Sequence, residues 1–256
     1  MNRRVTVCEL PDDREAFETA WQRLVEHARE ERSDLIVLPE MPFAPWLPVS
    51  PKFSQSEWNA AVRAHEGWMT RLNELAPAAV LASRPVTRRG RRLNEGFAWT
   101  ADAGAVPIHD KRYLPDETGF WEARWYEPGD GTFAPADVAG IRVGMMICTE
   151  QWALGHAIEY GRQGVQLIAT PRSTGRPTVD KWLTGGRVVA IVSGAFALSS
   201  NWSAVGDDGD FGGCGWVIDP DGVPLAHTSP AQPFQTISVD LAVADAAKRT
   251  YPRYAL

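Results

Sequence analysis

The 256-residue chain is poor in cysteine, with only Cys8, Cys148 and Cys214. An odd number at wide spacing supports neither a disulfide framework nor a CxxC metal motif. Long apolar runs are missing too. Nothing approaches the roughly 18 residues that a membrane span requires, so a membrane partner is not expected. The opening residues MNRRVTVCELPDD turn polar too soon for a secretory leader, and the expected location is cytoplasmic. Positive charge is in the minority, with 26 Lys and Arg against 32 Asp and Glu, for a net charge of −6. The dense basic run Arg88-Arg89-Gly90-Arg91-Arg92 lies between strand-like segments and reads as a hairpin tip. Nucleic acid is therefore not an expected partner. Five histidines (His27, His65, His109, His156, His227) stand in no recognisable order with a serine, and neither G-x-S-x-G nor H-E-x-x-H occurs. These absences argue against a Ser/His/Asp hydrolase and a metallohydrolase. The acidic stretch Asp207-Asp208-Gly209-Asp210 lacks the rest of a calcium loop and reads as a turn.

What is present suits a folded enzyme-sized core. Hydrophobic residues make up 44% of the chain and charged residues 23%, with no repeat or linker, so one domain over residues 1–256 is expected. Strand-like runs at Val5–Cys8, Leu35–Leu38, Ala79–Ala82, Glu95–Ala101, Ile141–Ile147 and Val165–Ala169 alternate with helical patterns. The helices are expected at Asp13–Arg32, Ser56–Leu75, Gln151–Gln163 and Lys181–Leu198. Further strands are expected at Asn201–Val205, Cys214–Ile218 and Thr236–Val239. Asp219-Pro220-Asp221-Gly222 supplies a hairpin turn. The 109–130 segment is rich in proline, glycine, aromatics and charge and reads as a structured loop. The fold class is α/β, open or layered.

Two continuous apolar strands end in reactive side chains, one in Glu40 and the other in Cys148. Ligands bind beyond the carboxyl ends of strands in such sheets, which would bring these residues to one site. A carboxylate can take the proton of a thiol, and the thiolate is the attacking form. The ordinary alternatives are a packed cysteine and a helix-capping glutamate.

Three motifs in series shift that choice toward chemistry: Leu38-Pro39-Glu40, Lys111-Arg112-Tyr113-Leu114-Pro115 and Gly144-Met145-Met146-Ile147-Cys148. With Tyr126-Glu127-Pro128-Gly129-Asp130, Asp34 and Ser199-Ser200-Asn201, the chain resembles the nitrilase superfamily, the carbon–nitrogen hydrolases. The resemblance implies a four-layer αββα sandwich and a catalytic triad of Glu40, Lys111 and Cys148. It also implies a thioester route that needs no cofactor or metal, and homodimers or larger oligomers built through the helix after the cysteine. Glu122 is the best match to the second glutamate of amide- and carbamoyl-cleaving members, with Glu117 as the fallback. Thr149 would lend its N–H to the oxyanion. Candidate substrate contacts are Thr149, Glu150, Trp152, Arg172, Trp121 and Phe43, the last two drawn from an unusual count of 11 tryptophans and their aromatic neighbours. Arg172 would bind a substrate carboxylate in bidentate fashion. The motif Cys148-Thr149-Glu150-Gln151 departs from the Trp-Glu of true nitrilases and lowers the case for nitriles. Small-molecule amides or N-carbamoyl compounds are thus the expected substrates. Nitrile hydrolysis, acyl transfer to an amine and a silent binding protein are the alternatives.

Overall fold

The computed structural model describes residues 1–204 and 210–256. Val205, Asp207, Asp208 and Gly209, and with them most of the expected acidic turn, lie outside the described residues. In chain order the strands are β1 (Asn2–Pro11), β2 (Leu35–Val37), β3 (Ala79–Arg88), β4 (Arg91–Thr100), β5 (Gly104–Asp110), β6 (Ala136–Val138), β7 (Ile141–Met145), β8 (Leu167–Arg172), β9 (Phe196–Ser203), β10 (Trp216–Ile218), β11 (Pro224–His227) and β12 (Phe234–Asp240). The helices are α1 (Arg14–Glu30), α2 (Gln55–Met69), α3 (Glu122–Trp125), α4 (Leu154–Arg162), α5 (Val179–Ser193) and α6 (Leu241–Ala247).

The strands form two halves that meet at β1. One half runs β12-β1-β2-β3-β4-β5 and the other β11-β10-β9-β8-β7-β6. Residues 2–8 of β1 pair with β12, Val5 and Thr6 pair with β2, and Glu9–Pro11 pair in parallel with Asn201–Ser203 of β9. Alternation along the strands builds the layers. Val5, Val7, Leu35 and Val37 point inward and meet Val143, Met145, Leu167 and Leu198 of the other sheet. Ile36 and Leu38 point outward to Phe17, Trp21 and Leu24 of α1. On the far side Ile168, Ala197 and Trp216 meet Ala157 and Tyr160 of α4 and Val189 of α5. Helix, sheet, sheet, helix is the expected αββα sandwich. No helix among the described residues is long and apolar enough to cross a membrane.

The helix expected over Lys181–Leu198 stops at Ser193, because Gly194 takes a left-handed cap at φ 64°. The rest of that stretch becomes β9, and its apolar residues pair with β8. The Gln151–Gln163 helix also starts later, at Leu154, after a 3₁₀ turn over Cys148–Trp152. The expected 109–130 loop conceals the end of β5, an edge strand paired with β4.

Gly144 on β7 marks a close approach. A Cβ there would lie 2.8 Å from the Tyr160 ring. That ring cannot retreat, because its hydroxyl receives the Met145 N–H at 3.3 Å and donates to the Met145 carbonyl at 3.1 Å. Gly144→Ala is expected to lower the unfolding free energy by about 1–3 kcal/mol, the usual cost of overpacking. Urea titration measures it, and an unchanged midpoint would show that α4 can shift away.

Candidate active site

Glu40 leaves β2 through Pro39, and its backbone is held at both ends. Its N–H reaches the Arg172 carbonyl at 3.2 Å, and its own carbonyl accepts the Trp202 indole N–H at 2.6 Å. Lys111 follows β5 directly, with its N–H on the Asn94 carbonyl at 2.9 Å. Cys148 follows β7 and adopts φ 69°. A non-glycine residue in this left-handed region stores strain of about 1 kcal/mol or more. Here the strained turn swings the thiol off the strand line toward the other two side chains.

The three motifs converge on one buried cluster. Lys111 Nζ donates to Glu40 Oε1 at 2.7 Å and to Glu122 Oε2 at 2.6 Å, and all three side chains are fully buried. Cys148 Sγ and one carboxylate oxygen each from Glu40 and Glu122 lie within 4.8 Å of one another. Such a set resembles a cation site, and the Lys111 ammonium bonded to both carboxylates is its cation. Asn94 adds a hydrogen bond to Glu40 Oε1 at 2.8 Å, and the Tyr126 hydroxyl donates to Glu122 Oε2 at 2.5 Å. Neither Asn94 nor Tyr126 was legible as a site residue in the sequence, since Asn94 stands beside Arg92 and Glu95 in a β4 stretch of mixed character.

Four buried polar atoms of the side chains in and around this cluster have no partner within the protein: Glu40 Oε2, Asn94 Oδ1, Glu122 Oε1 and Ser173 Oγ. Glu122 and Ser173 line a cavity of about 660 Å³ together with Cys148, Thr149 and Trp152. Its outer walls include Phe120, Trp182, Glu117 and Lys181. Glu122, not Glu117, meets Lys111. Glu117 sits exposed at the cavity wall.

Four expected substrate contacts lie elsewhere. Phe43 is packed in the outer-layer core, stacked on Trp68 at 5.0 Å and edge-on to Phe17. Trp121 stays out of the cavity lining, its N–H tied to the Pro48 carbonyl at 2.8 Å and its ring beneath Arg124. Arg172 is fully buried and spends its guanidinium on Ser199 Oγ, Thr174 Oγ1 and the Cys214 carbonyl, over the Trp216 ring. Burial lowers it to about 10, and it meets no carboxylate among the described residues. Glu150 is buried behind the lysine strand rather than in the cavity. In each case the local pattern announced a residue type but not the direction of its side chain.

Burial is the largest influence on each charge. It pushes the Cys148 thiol well up, and Glu40 reinforces this while Lys111 opposes it. Burial alone would lower Lys111, but Glu122 and Glu40 together reverse the direction and hold it protonated. Burial raises Glu122 to about 7, against the pull of Lys111. One ammonium thus balances one carboxylate, and the second carries the cost of a surplus negative charge.

A nitrilase-type sandwich whose strand ends bring together Glu, Lys and Cys defines the class. The chain belongs to the carbon–nitrogen hydrolase family, whose model matches residues 4–250. It is 25% identical over 180 residues to a citrullinase of Francisella tularensis, covering 68% of this chain and 62% of that protein. It is 29% identical over 83 residues to an N-carbamoylputrescine amidase of Arabidopsis thaliana, covering 32% of this chain. The match spans only 28% of the length of the latter. A solved carbon–nitrogen hydrolase from Helicobacter pylori G27 shares the fold with a TM-score of 0.87 at 21% identity, over 100% of this chain and 95% of that one.

The raised Glu122 carboxyl has a consequence for stability. Between its ordinary 4.5 and about 7 the native protein holds a proton that the unfolded chain has released, so this group's stabilising share is lost as pH rises through that window. Glu122→Gln removes the effect. Its unfolding free energy relative to wild type is expected to increase steadily from pH 4.5 to 7 in urea titrations; a pH-independent difference would contradict the assignment.

Proposed function

We propose that this protein is a thiol-dependent hydrolase of a non-peptide C–N bond, an amide or N-carbamoyl group, working through a Cys148 thioester. The observation that carries the reading is the pair of acceptors without a protein partner, Glu40 Oε2 and Glu122 Oε1, on the two carboxylates that lie beside the thiol. When ionised, these carboxylate oxygens accept hydrogen bonds only, so their complement is then a group rich in N–H, such as the NH₂ of a primary amide or carbamoyl substrate. A nitrile carries no N–H to offer them.

In this mechanism Glu40 takes the Sγ proton as the sulfur adds to the carbonyl carbon. Lys111 and the Thr149 N–H stabilise the oxyanion that forms. Glu40 then passes the proton to the departing nitrogen, ammonia or an amine leaves, and the acyl group remains on sulfur. Water, deprotonated by Glu40, cleaves the thioester and releases the acid. Glu122 holds Lys111 in place and receives the substrate N–H. Because burial keeps the resting thiol protonated, attack and proton transfer are coupled at the moment of reaction. The names of the two curated relatives favour N-carbamoyl compounds over simple amides. Thr149 and Trp152 supply cavity wall against the rest of the substrate. The reading includes one hydrolase domain over residues 1–256, acting in the cytoplasm as a homo-oligomer assembled through α4. The three free cysteines are consistent with a reducing compartment.

The test is ammonia and product-acid release from a panel of primary amides, N-carbamoyl amino acids, N-carbamoyl amines and nitriles. Wild type is expected to act on amides or carbamoyl compounds, and Cys148→Ala to lose at least about 10³-fold in rate. Turnover surviving in Cys148→Ala would remove the thioester route, and a preference for nitriles would remove the role given to the two acceptors.

A further inference from the structure

Glu150 touches both halves of the site without facing the substrate cavity. Its side chain is fully buried. Oε1 accepts the N–H of Arg112, the residue after Lys111, at 2.6 Å. Oε2 accepts the N–H of Ile147, the residue before Cys148, at 2.8 Å. The same oxygen meets His109 Nε2 at 2.7 Å, and His109 lies two residues before Lys111 near the end of β5. The lysine strand and the cysteine strand belong to different sheets. One carboxylate therefore fastens the main chain beside the lysine to the main chain beside the nucleophile.

The partners also define the charge of the imidazole. His109 Nδ1 faces the Thr132 carbonyl at 3.2 Å and Nε2 faces a carboxylate. Both partners accept, so both ring nitrogens carry protons. Burial alone would favour the neutral ring, but Glu150, the Thr132 carbonyl and Asp110 reverse the direction and raise it. Asp130 and His156 are the other titratable groups that feel this charge. The Phe133 ring covers the pair, 4.6 Å from the imidazole. The His109–Glu150 pair is a neutral, dry unit, and losing either member leaves a buried charge behind.

We propose that Glu150, with His109 as its counter-ion, is a positioning residue for the reaction: it sets Lys111 against Cys148 by gripping the backbone next to each. The proposal rests on the thioester reading above. Glu150→Gln keeps the shape but replaces one acceptor oxygen with an N–H₂ donor, which must then oppose Ile147, Arg112 or His109. The lysine and the thiol move apart, and the loss falls on chemistry rather than on binding, since Glu150 does not line the cavity. The charged imidazole adds a pH signature. As pH rises through the raised His109 value, the ring loses a proton and one of its two hydrogen bonds, so kcat falls on the alkaline side.

The experiment measures kcat, KM and iodoacetamide labelling of Cys148 between about pH 6 and 10, using the substrate that wild type turns over. Histidine ring nitrogen shifts are recorded on the same samples by NMR. Glu150→Gln is expected to lose about 100-fold in kcat, the scale of an ångström-sized misplacement, with KM changed less than about threefold. It should also lose the doubly protonated signature of His109. A kcat within about threefold of wild type overturns the proposal. Since Glu150→Gln disturbs a buried pair and can fail to fold, His109→Gln is the second variant. Its kcat is expected to fall and its alkaline limb to vanish, and a wild-type limb in that variant equally overturns the proposal. A wild type that neither turns over nor labels at Cys148 overturns the thioester reading itself, and the positioning role with it.

Discussion

The ammonium of Lys111, sealed between the carboxylates of Glu40 and Glu122, is the interaction on which the rest of this structure depends. Each of these three charges would cost several kcal/mol to bury alone. Together they require close contact and full satisfaction of the remaining polar atoms, which Asn94 and Tyr126 partly supply. What is left unsatisfied is informative. One oxygen on each carboxylate, the Asn94 amide oxygen and the Ser173 hydroxyl remain without a protein partner, in an interior where such atoms are normally paired. A fold stabilised only for its own sake would close these gaps.

The architecture explains how the cluster is held. Lys111 and Cys148 continue strands of opposite sheets, Glu40 follows β2, and β1 joins the two halves by pairing with β2, β12 and β9. Convergence depends on backbone approaching backbone. Gly129, in the Pro-Gly-Asp element, hands its N–H to the Lys111 carbonyl at 2.8 Å, and a Cβ there would overlap the Asp110 carbonyl. Gly185 of α5 admits Gln151 and the Trp152 ring, each of which would lie within 2.7 Å of a Cβ. The strained Cys148 turn then aims the thiol. These devices are dispersed through the chain, and Gly129 acts directly at the lysine.

Much of this was legible in advance. The strand-end positions of Glu40 and Cys148 follow from continuous apolar runs, and the αββα layering follows from the alternation of strands and helices together with the family resemblance. The failures share a physical cause. Composition near a motif reports which side chains are available, not where they point. Phe43 and Trp121 were expected in a pocket because aromatic residues suit both pockets and cores, and packing in the outer layer claimed Phe43. Arg172 and Glu150 looked like substrate contacts because they are charged and near the cysteine. Both instead satisfy backbone, hydroxyl and imidazole groups in the interior, several of them 27 to 42 residues away. Asn94 was invisible because its partner is 54 residues distant. The over-long helix after Lys181 came from an apolar stretch whose period does not reveal that Gly194 ends it.

The central claim is that the buried cluster exists to form and break a bond to Cys148. The most direct test is the intact mass of the protein, quenched in acid during steady turnover of its best amide or carbamoyl substrate, followed by peptide mapping. The account predicts an added acyl mass confined to the peptide bearing Cys148, absent from Cys8 and Cys214, and lost in Cys148→Ala. Rapid turnover with no adduct at any quench time, even in a variant slowed at the water step, would contradict it and assign the hydrolysis to direct attack by water.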